Sequence, residues 1–514
     1  MAAATLTSRI LGMVREMVYS WFMGATWVAG AFQVAFMVPN LFRRLLGEGA
    51  LTAAFIPIFK EKERTATEAE MWRAANAVIS GLIIAATIIT ALAMLGITVV
   101  LAGGPYAAKT ELMLRLLRVM FPYMLLICLT AVLMGMLNAR GHFFIPATGA
   151  LIMNVVMIAS VYLLAPRLGL ELHQKIYALA FGVLVAGAAQ AAFQLPTLYT
   201  EGFRYYWVSP VGDATVQRVV RQMVPGMIGV AAFQLNVVVT QGVAYWVDPV
   251  IVAQFNYAIR LMELPQGVFG ISLATYLLPT LSGLATEKKY DEFRSTLNQG
   301  VDHLTFVNLL AAMLLLVQAE PIIRLLFEHG RFVPSDTPES AFALMCLAPG
   351  LLAFSLSNIL ARSFYALGDT KTPMKISIFC LGINLLAAVV LVWRFRAGGL
   401  AMANSLSATC NASLLFYALR RKLGRLDFES IRGTILQMLG ALLVAGLTAW
   451  GLMHWWTNNF GHTDVWRRLG EVFMPMTVAS LIYWGITLWF KVPPATEIGA
   501  LVFQRFGGRP KLQP

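Results

Sequence analysis

Long apolar stretches recur along this chain of 514 residues, and many are about as long as a helix that crosses a lipid bilayer. Such a helix needs about 20 apolar residues to span the hydrocarbon core. Hydrophobic residues make up 58% of the chain and charged residues only 13%, against about 25% charged residues in a soluble domain. The sequence therefore predicts an all-α polytopic membrane protein with most of its length in lipid.

Fourteen candidate spans can be placed on these stretches, with boundaries good to about 2–4 residues. They are 5–24, 29–59, 74–102, 112–138, 144–165, 174–195, 217–246, 250–283, 296–318, 338–366, 373–393, 399–419, 431–455 and 469–490. Several contain proline or glycine, which bundled membrane helices tolerate because their neighbours satisfy the freed backbone groups.

The basic residues predict how the chain is oriented. With the N-terminus in the cytoplasm, an even number of spans returns the C-terminus there, and Lys and Arg concentrate in the short loops on that side. The strongest such loop is Arg420–Arg425. The net charge of +13 is therefore explained by basic loops that set the orientation in the membrane, and by binding of anionic lipid and of an anionic substrate. No nucleic-acid partner is predicted.

The two halves of the sequence resemble each other. The first half has Ala139–Gly141 followed by Pro146, and the second half has Ala366–Gly368 followed by Pro373 at the same spacing. Other matches between the halves recur at an offset of roughly 225 residues. We therefore predict two parallel six-helix lobes with a substrate site near the membrane midplane between them. Compositional likeness of membrane helices is the alternative. The predicted parts are 1–200, 216–420, helices 13 and 14 in 430–492, and a cytoplasmic tail in 493–514.

Charged residues lie inside the first two spans. Arg9, Arg15 and Glu16 occupy span 1, and Arg43 and Glu48 occupy span 2. An ionisable group in the hydrocarbon core costs at least about 2.5–3.5 kcal/mol, so we predict that these side chains face a water-filled cavity. The alternative for Arg9 and Arg43 is that the long side chains reach the headgroups at a helix end.

Span 8 carries a second group of charges. Arg260 and Glu263 are three residues apart, which predicts that they share a helix face and pair. Arginine binds phosphate oxygens bidentately and stays charged, so a large anionic headgroup is the expected ligand. Salt bridges that only fix helix packing are the alternative. The predicted substrate-binding residues are Arg9, Arg15, Glu16, Arg43, Glu48, Arg260 and Glu263.

Enzyme chemistry is not indicated. The sequence has no phosphate-binding glycine loop, no clustered metal ligands and no carboxylate or histidine constellation at one surface, so we predict no catalytic residue and no cofactor. Cys128, Cys346, Cys380 and Cys410 all lie in apolar segments, where they are expected to act as small hydrophobic side chains.

Three segments resemble the MurJ (MviN) family of lipid II flippases, which belongs to the multidrug/oligosaccharidyl-lipid/polysaccharide exporter superfamily. They read TSRILGMVRE, VAFMVPNLFRRLLGEGALTAAFIPIF and NYAIRLMELPQGVFGISLATYLLPTLS, and the resemblance extends over essentially the whole chain. It implies that the undecaprenyl-pyrophosphate-linked peptidoglycan precursor is moved from the inner to the outer leaflet of the bacterial cytoplasmic membrane by alternating access. It also implies that Arg9, Arg15, Arg43 and Arg260 hold the headgroup, and that helices 13 and 14 hold the polyprenyl tail.

The chain departs from this family at a few positions. Gly30 stands where many members have an acid, and the positions nearest to a sodium site of some members are the neutral Asn236 and Asn384. We therefore expect the membrane potential or an ion gradient to drive transport, with the ion unspecified. Export of another polyprenyl-linked oligosaccharide or of drugs is the alternative function. Lipid II, membrane lipids and the cell-wall synthesis machinery are the candidate partners.

Overall fold

The computed structural model describes residues 2–43, 45, 51–424 and 428–506, and the regular structure in these ranges is helical. The helices are α1 (Ala2–Met23), α2 (Trp27–Phe42), α3 (Thr52–Thr65), α4 (Glu68–Ala102), α5 (Ala108–Met120), α6 (Tyr123–Ala139), α7 (Phe144–Leu163), α8 (Leu172–Lys175), α9 (Tyr177–Thr200), α10 (Ala214–Val247), α11 (Pro249–Pro265), α12 (Ser272–Thr286), α13 (Tyr290–Val317), α14 (Ala319–Phe327), α15 (Thr337–Leu347), α16 (Gly350–Ala366), α17 (Lys371–Leu423), α18 (Phe428–Phe460), α19 (Val465–Trp489) and α20 (Pro493–Phe506).

Several predicted spans consist of two consecutive helices. α5 and α6 meet at a bend of 40° next to Pro122, and the helices on either side of Pro349 meet at 41°. Proline bends a helix because it lacks an N–H and its ring clashes with the preceding turn. A six-residue π-helical segment, Gln266–Ile271, joins α11 to α12. α17 holds two predicted spans, which are separated where Arg396 takes a φ of 49°.

Within the described ranges, eight helices are long and apolar enough to cross a membrane, or ten if each bent pair counts as one span. The two halves of α17 form one of these helices, and α1 is not among them because it carries the charged residues Arg9, Arg15 and Glu16. The chain is a polytopic, all-helical membrane protein, as the sequence predicts.

The chain divides into two compact units. One is Met1–Ala253 with His329–Phe332, and the other is Gln254–Glu328 with Val333–Pro514. The first unit is built around a buried core from α3, α4, α6 and α9, and the second has one core on α12, α13, α16 and α17 and another on α13, α18, α19 and α20. The lobe boundaries predicted from the internal repeat stay a prediction, because this division follows packing and not sequence likeness.

Matched turns occur at corresponding places in the two halves. Gly141 and Gly368 have φ of 87° and 73°, a left-handed conformation that glycine adopts without strain. After each glycine, the next residue donates its N–H to the carbonyl five residues earlier, at 2.9 Å, which closes the preceding helix. Pro122 and Pro349, at the two bends, have the same separation in sequence as these two glycines. These features support the predicted duplication.

Ion pairs fasten the turn after α6. Arg140 donates to Glu63 at 2.9 Å and to Glu201 at 2.8 Å, and His142 Nε2 lies 2.7 Å from Glu201 Oε1. The hydrogen bonds from His142 and Arg140 lower the pKa of the Glu201 carboxyl. The turn is thereby tied to the end of α3 and to the end of α9.

The corresponding turn after α16 is also held by an ion pair, but here the turn carries the acid and the helix carries the base. Here the acid, Asp369, lies on the turn, and Lys422 at the end of α17 contacts it at 2.7 Å. Lys422 and the N–H of Thr372 lower the pKa of Asp369. Each turn is thus held to the last helix of its half by an ion pair.

Candidate substrate-binding site

The first charged group of the predicted site lies on α1. Arg15 Nη2 and Glu16 Oε1 are 2.5 Å apart, and the two side chains are 18% and 11% exposed. The Arg15 guanidinium also lies over the ring of Tyr19, 5.4 Å from its centre, which adds cation–π attraction. Tyr19 packs edge-on against Phe32 at 6.2 Å, so α2 supports this part of α1.

Arg9 lies on the same helix and is partly buried. Asn154 of α7 donates to the carbonyl oxygen of Ser8 at 3.2 Å, which fixes α1 against α7 next to Arg9. Arg9 and Arg15 are six residues apart, so their directions around the helix differ by about 120°. They do not share a single stripe, but both can border one wide space.

Arg43 directly follows α2. This helix begins after Thr26, whose hydroxyl accepts the N–H of Ala29 at 3.3 Å. Arg43 Nε donates to Asn40 Oδ1 at 2.7 Å, which holds the guanidinium beside the last turn of the helix. The predicted site residue Glu48 and the neighbouring Arg44 lie outside the described residues.

Gly30 lies near the start of α2, where the helix approaches another backbone closely. A Cβ atom built at Gly30 would lie 2.1 Å from the carbonyl oxygen of Pro249 and 2.7 Å from its carbonyl carbon. Both are far shorter than the ordinary contact of 3.4–4 Å. The backbone of α2 at Gly30 therefore approaches the first residue of α11 so closely that a side chain at this position would collide with it.

The charged pair of the second unit lies on α11. Arg260 Nη1 and Glu263 Oε2 are 2.8 Å apart, which confirms the pairing predicted from their spacing. The two side chains are 41% and 44% exposed, so both are open to solvent or to a ligand. Pro265 lies two residues after Glu263 and directly before the π-helical segment.

The structure thus pairs four of the predicted site residues, Arg15 with Glu16 in the first unit and Arg260 with Glu263 in the second, and only the second pairing was predicted. The binding role of these residues, and of Arg9 and Arg43, stays a prediction.

Sequence reasoning missed Arg362. It lies on α16 inside the predicted span 338–366, and its Nη1 is 2.5 Å from Thr275 Oγ1 of α12. The signal was available, because an arginine within an apolar span is the criterion that singled out Arg260.

A second missed feature joins α14 to α19. Four buried charged side chains form a group between the end of α14 and α19, named here the α14–α19 charge cluster. They are Arg324 and Glu328 at the end of α14 and Arg468 and Glu471 on α19. The carboxylate partner of Arg468 lies 140 residues earlier in the chain, so no local pattern in the sequence indicates this pair.

The face of α19 that points away from this cluster forms an apolar groove of about 630 Å³, named here the α19 groove. Its lining residues are Trp466, Leu469, Gly470, Phe473, Met474, Thr477 and Val478. Gly470 is required at its place, because a Cβ there would lie 2.0 Å from the ring of Trp456 on α18. The predicted tail-binding helices 13 and 14 correspond to α18 and α19.

Asn236 of α10 and Asn384 of α17 carry neutral amides, and Asn384 is buried. Among the described residues, no group of three or more His, Cys, Asp or Glu could hold a metal ion.

Comparison with known proteins gives concordant results. A family model described as lipid II flippase MurJ matches residues 19–469. A probable lipid II flippase MurJ of Vibrio cholerae is 32% identical over 508 residues, which cover 96% of this chain and 94% of that protein. A lipid II flippase MurJ of Burkholderia cenocepacia is also 32% identical, over 94% of this chain and 95% of its own length.

Solved structures show the same fold. A lipid II flippase MurJ in an inward closed conformation aligns with a TM-score of 0.75 at 21% identity, covering 95% of this chain and 98% of that one. An inward-facing multidrug resistance MATE transporter of the MOP superfamily aligns with a TM-score of 0.65 at 14% identity, covering 83% and 99%. At these identities the structures establish the shared fold alone.

Proposed function

Because this chain belongs to the MurJ family of lipid II flippases, we propose that it moves lipid II from the inner to the outer leaflet of a bacterial cytoplasmic membrane. The observation that carries the proposal is the family match over residues 19–469, with relatives 32% identical over nearly the whole chain. Lipid II is a polyprenyl-pyrophosphate-linked precursor of peptidoglycan, so the protein is a transporter and not an enzyme. Alternating access is the proposed mechanism.

The arginines are proposed to recognise the pyrophosphate. Arg15 and Arg260 each rest against a carboxylate, at 2.5 Å from Glu16 and 2.8 Å from Glu263. A pyrophosphate offers more charge and more acceptor oxygens than one carboxylate, so it can replace the acid as the partner of a guanidinium fork. The acids keep the empty site neutral, and they release the arginines when the headgroup arrives. Arg9, Arg43 and Glu48 complete the proposed set.

The polyprenyl chain is proposed to lie against α18 and α19. The α19 groove is lined by apolar side chains almost throughout, and burial of apolar area there is favourable for each isoprene unit. A cationic drug would gain nothing from the arginines, so they favour an anionic lipid-linked substrate over the multidrug alternative.

The membrane potential is the proposed driving force, or a proton gradient coupled to it. An inside-negative potential favours outward movement of an anionic headgroup by about 2.3 kcal/mol per charge and 100 mV. The neutral Asn236 and Asn384 offer no carboxylate for sodium. The excess of Lys and Arg in alternate loops supports cytoplasmic N- and C-termini. The cell-wall synthesis machinery is the proposed protein partner.

Depletion of the protein in its host tests the proposal. The expected result is that lipid II accumulates in the inner leaflet and disappears from the outer one, while re-expression restores the outer pool. Normal arrival of lipid II at the outer leaflet after depletion would contradict the proposed function. Arrival of another lipid-linked oligosaccharide should be unchanged, which separates lipid II from the alternative substrate.

A further inference from the structure

The α14–α19 charge cluster contains two crossed ion pairs. Arg324 of α14 donates to Glu471 of α19 at 2.9 Å, and Arg468 of α19 donates to Glu328 at the end of α14 at 3.0 Å. The four side chains are 11%, 2%, 16% and 9% exposed in the order Arg324, Glu471, Arg468 and Glu328. The buried part of the cluster therefore holds two cations and two anions, and the half-exposed Glu320 pairs with Arg324 at its edge, at 2.5 Å.

Because these charges are buried, each of them needs its oppositely charged partner. A charge taken out of water is tolerated when its partner and its hydrogen bonds are in place, and it becomes very unfavourable when one partner is removed. Neutral groups add hydrogen bonds, because Thr457 of α18 donates to Glu471 Oε1 at 3.1 Å and Thr337 of α15 donates to Glu328 at 2.7 Å. Four helix segments thus meet at one group of charges.

The crossed arrangement fixes the position of α19 in two ways. Arg324 and Glu328 are four residues apart and Arg468 and Glu471 are three apart, so each helix presents both of its charges on one face. A shift of α19 by one residue would move its charges about 1.5 Å along the axis and turn them by about 100°, which separates both pairs together. The pairs therefore set the height and the rotation of α19.

Backbone contacts reinforce this position. Arg468 Nη1 lies 3.3 Å from the carbonyl oxygen of Arg324 and 3.2 Å from that of Glu328, and its Nε donates to the carbonyl oxygen of His462 at 3.0 Å. A cation at the C-terminal end of α14 also complements the negative end of the helix dipole. Arg468 thus joins the end of α14 to the loop before α19.

α19 has two opposite faces. Glu471, Pro475 and Ala479 recur every four residues on the buried face, whereas Gly470, Phe473 and the rest of the α19 groove lie on the other side. A rotation of α19 that broke the charge cluster would therefore turn the groove residues away from their present direction.

We propose that the α14–α19 charge cluster is a positioning device that holds α19 so that its groove receives the polyprenyl chain of the substrate. The proposal rests on the proposed function. Arg324, Glu328, Arg468 and Glu471 are positioning residues in this account, because they act through α19 and do not touch the substrate.

Transport by the purified full-length protein in proteoliposomes tests this role, with lipid II compared against an analogue that has the same headgroup and a short prenyl chain. Glu471→Gln keeps the shape of the side chain and removes its charge. We expect it to lower transport of lipid II by at least about tenfold and transport of the short-chain analogue by less than about twofold. Exchange of the charges, Arg324→Glu with Glu471→Arg, is expected to restore part of the loss.

Asp464→Asn, at the residue that precedes α19, is the matched control. Asp464 pairs with Arg467 at 3.6 Å, and both side chains are at least half exposed, so its loss should leave both substrates unaffected. If Glu471→Gln does not fold, Thr457→Val removes only the neutral donor to Glu471 and allows the same comparison. Equal loss for both chain lengths, or no loss for either, would overturn the positioning role. Failure of the unaltered protein to move either substrate would instead overturn the proposed function.

Discussion

Separate removal of the two partners of the Arg15–Glu16 pair distinguishes a binding role from a packing role. The variants are Arg15→Ala, Glu16→Ala and the double variant. If the pair only fixes the packing of α1, the double variant should recover both stability and transport. If Arg15 binds the headgroup, the double variant should recover stability and remain inactive.

The expected magnitude follows from the burial of the pair. Removing one member of a fully buried ion pair costs about 3–5 kcal/mol, because the other charge is left uncompensated. The Arg15 and Glu16 side chains are 18% and 11% exposed, so some hydration remains and we expect about 2–3 kcal/mol for Arg15→Ala. Loss of the cation over Tyr19 adds about 0.5–1 kcal/mol. The double variant, which leaves no lone charge, should lose about half as much.

Thermal unfolding of the purified protein followed by tryptophan fluorescence measures stability, and rescue of protein-depleted cells measures transport. Arg115→Ala is the matched control, because Arg115 and Glu111 are also 2.5 Å apart but are 55% and 41% exposed. It should cost less than about 1 kcal/mol. Full rescue of cells by the stable double variant would refute a binding role for Arg15.

Three further predictions concern the fold. Gly30→Asp should lower the free energy of unfolding by about 1–3 kcal/mol, because its Cβ would overlap the carbonyl oxygen of Pro249; an unchanged midpoint of thermal unfolding would contradict this packing. The ion pairs of Glu201 contribute their full stabilisation above pH 4.5, the ordinary pKa of the carboxyl group, and this contribution is lost as the pH falls through the lowered pKa of Glu201. In Glu201→Gln the midpoint of thermal unfolding should therefore fall less steeply below pH 4.5 than in the unaltered protein. An equally steep fall in both proteins would contradict this prediction. Arg396→Gly should raise the free energy of unfolding by about 1 kcal/mol, because glycine adopts a positive φ without strain. A lower midpoint of thermal unfolding would show that the contacts of the Arg396 side chain contribute more than the strain costs.

Much of the fold could be predicted because membrane helices leave a direct record in the sequence. Length and hydropathy placed the spans, and two of the prolines noted inside them, Pro122 and Pro349, lie at the bends of the structure. The pairing of Arg260 with Glu263 followed from helix periodicity alone. These features depend on residues that are close together in the chain.

The features that escaped prediction depend on residues far apart in the chain. The residues around Gly30 in the sequence do not indicate its contact with the carbonyl group of Pro249. Likewise, the residues around Glu471 do not indicate its ion pair with Arg324. The break between the predicted spans 373–393 and 399–419 was predicted, but the positive φ of Arg396 within it was not, because an arginine gives no local signal for a left-handed conformation as glycine does. Such contacts are set by how the helices pack.

Transfer of lipid II by the purified protein in proteoliposomes, with Arg260→Ala beside the unaltered chain, tests the central claim most directly. The account predicts that the unaltered protein exposes lipid II on the far leaflet and that the variant, folded and present in equal amount, does not. Equal transfer by both proteins would contradict the claim that arginine recognition of the pyrophosphate carries the substrate across.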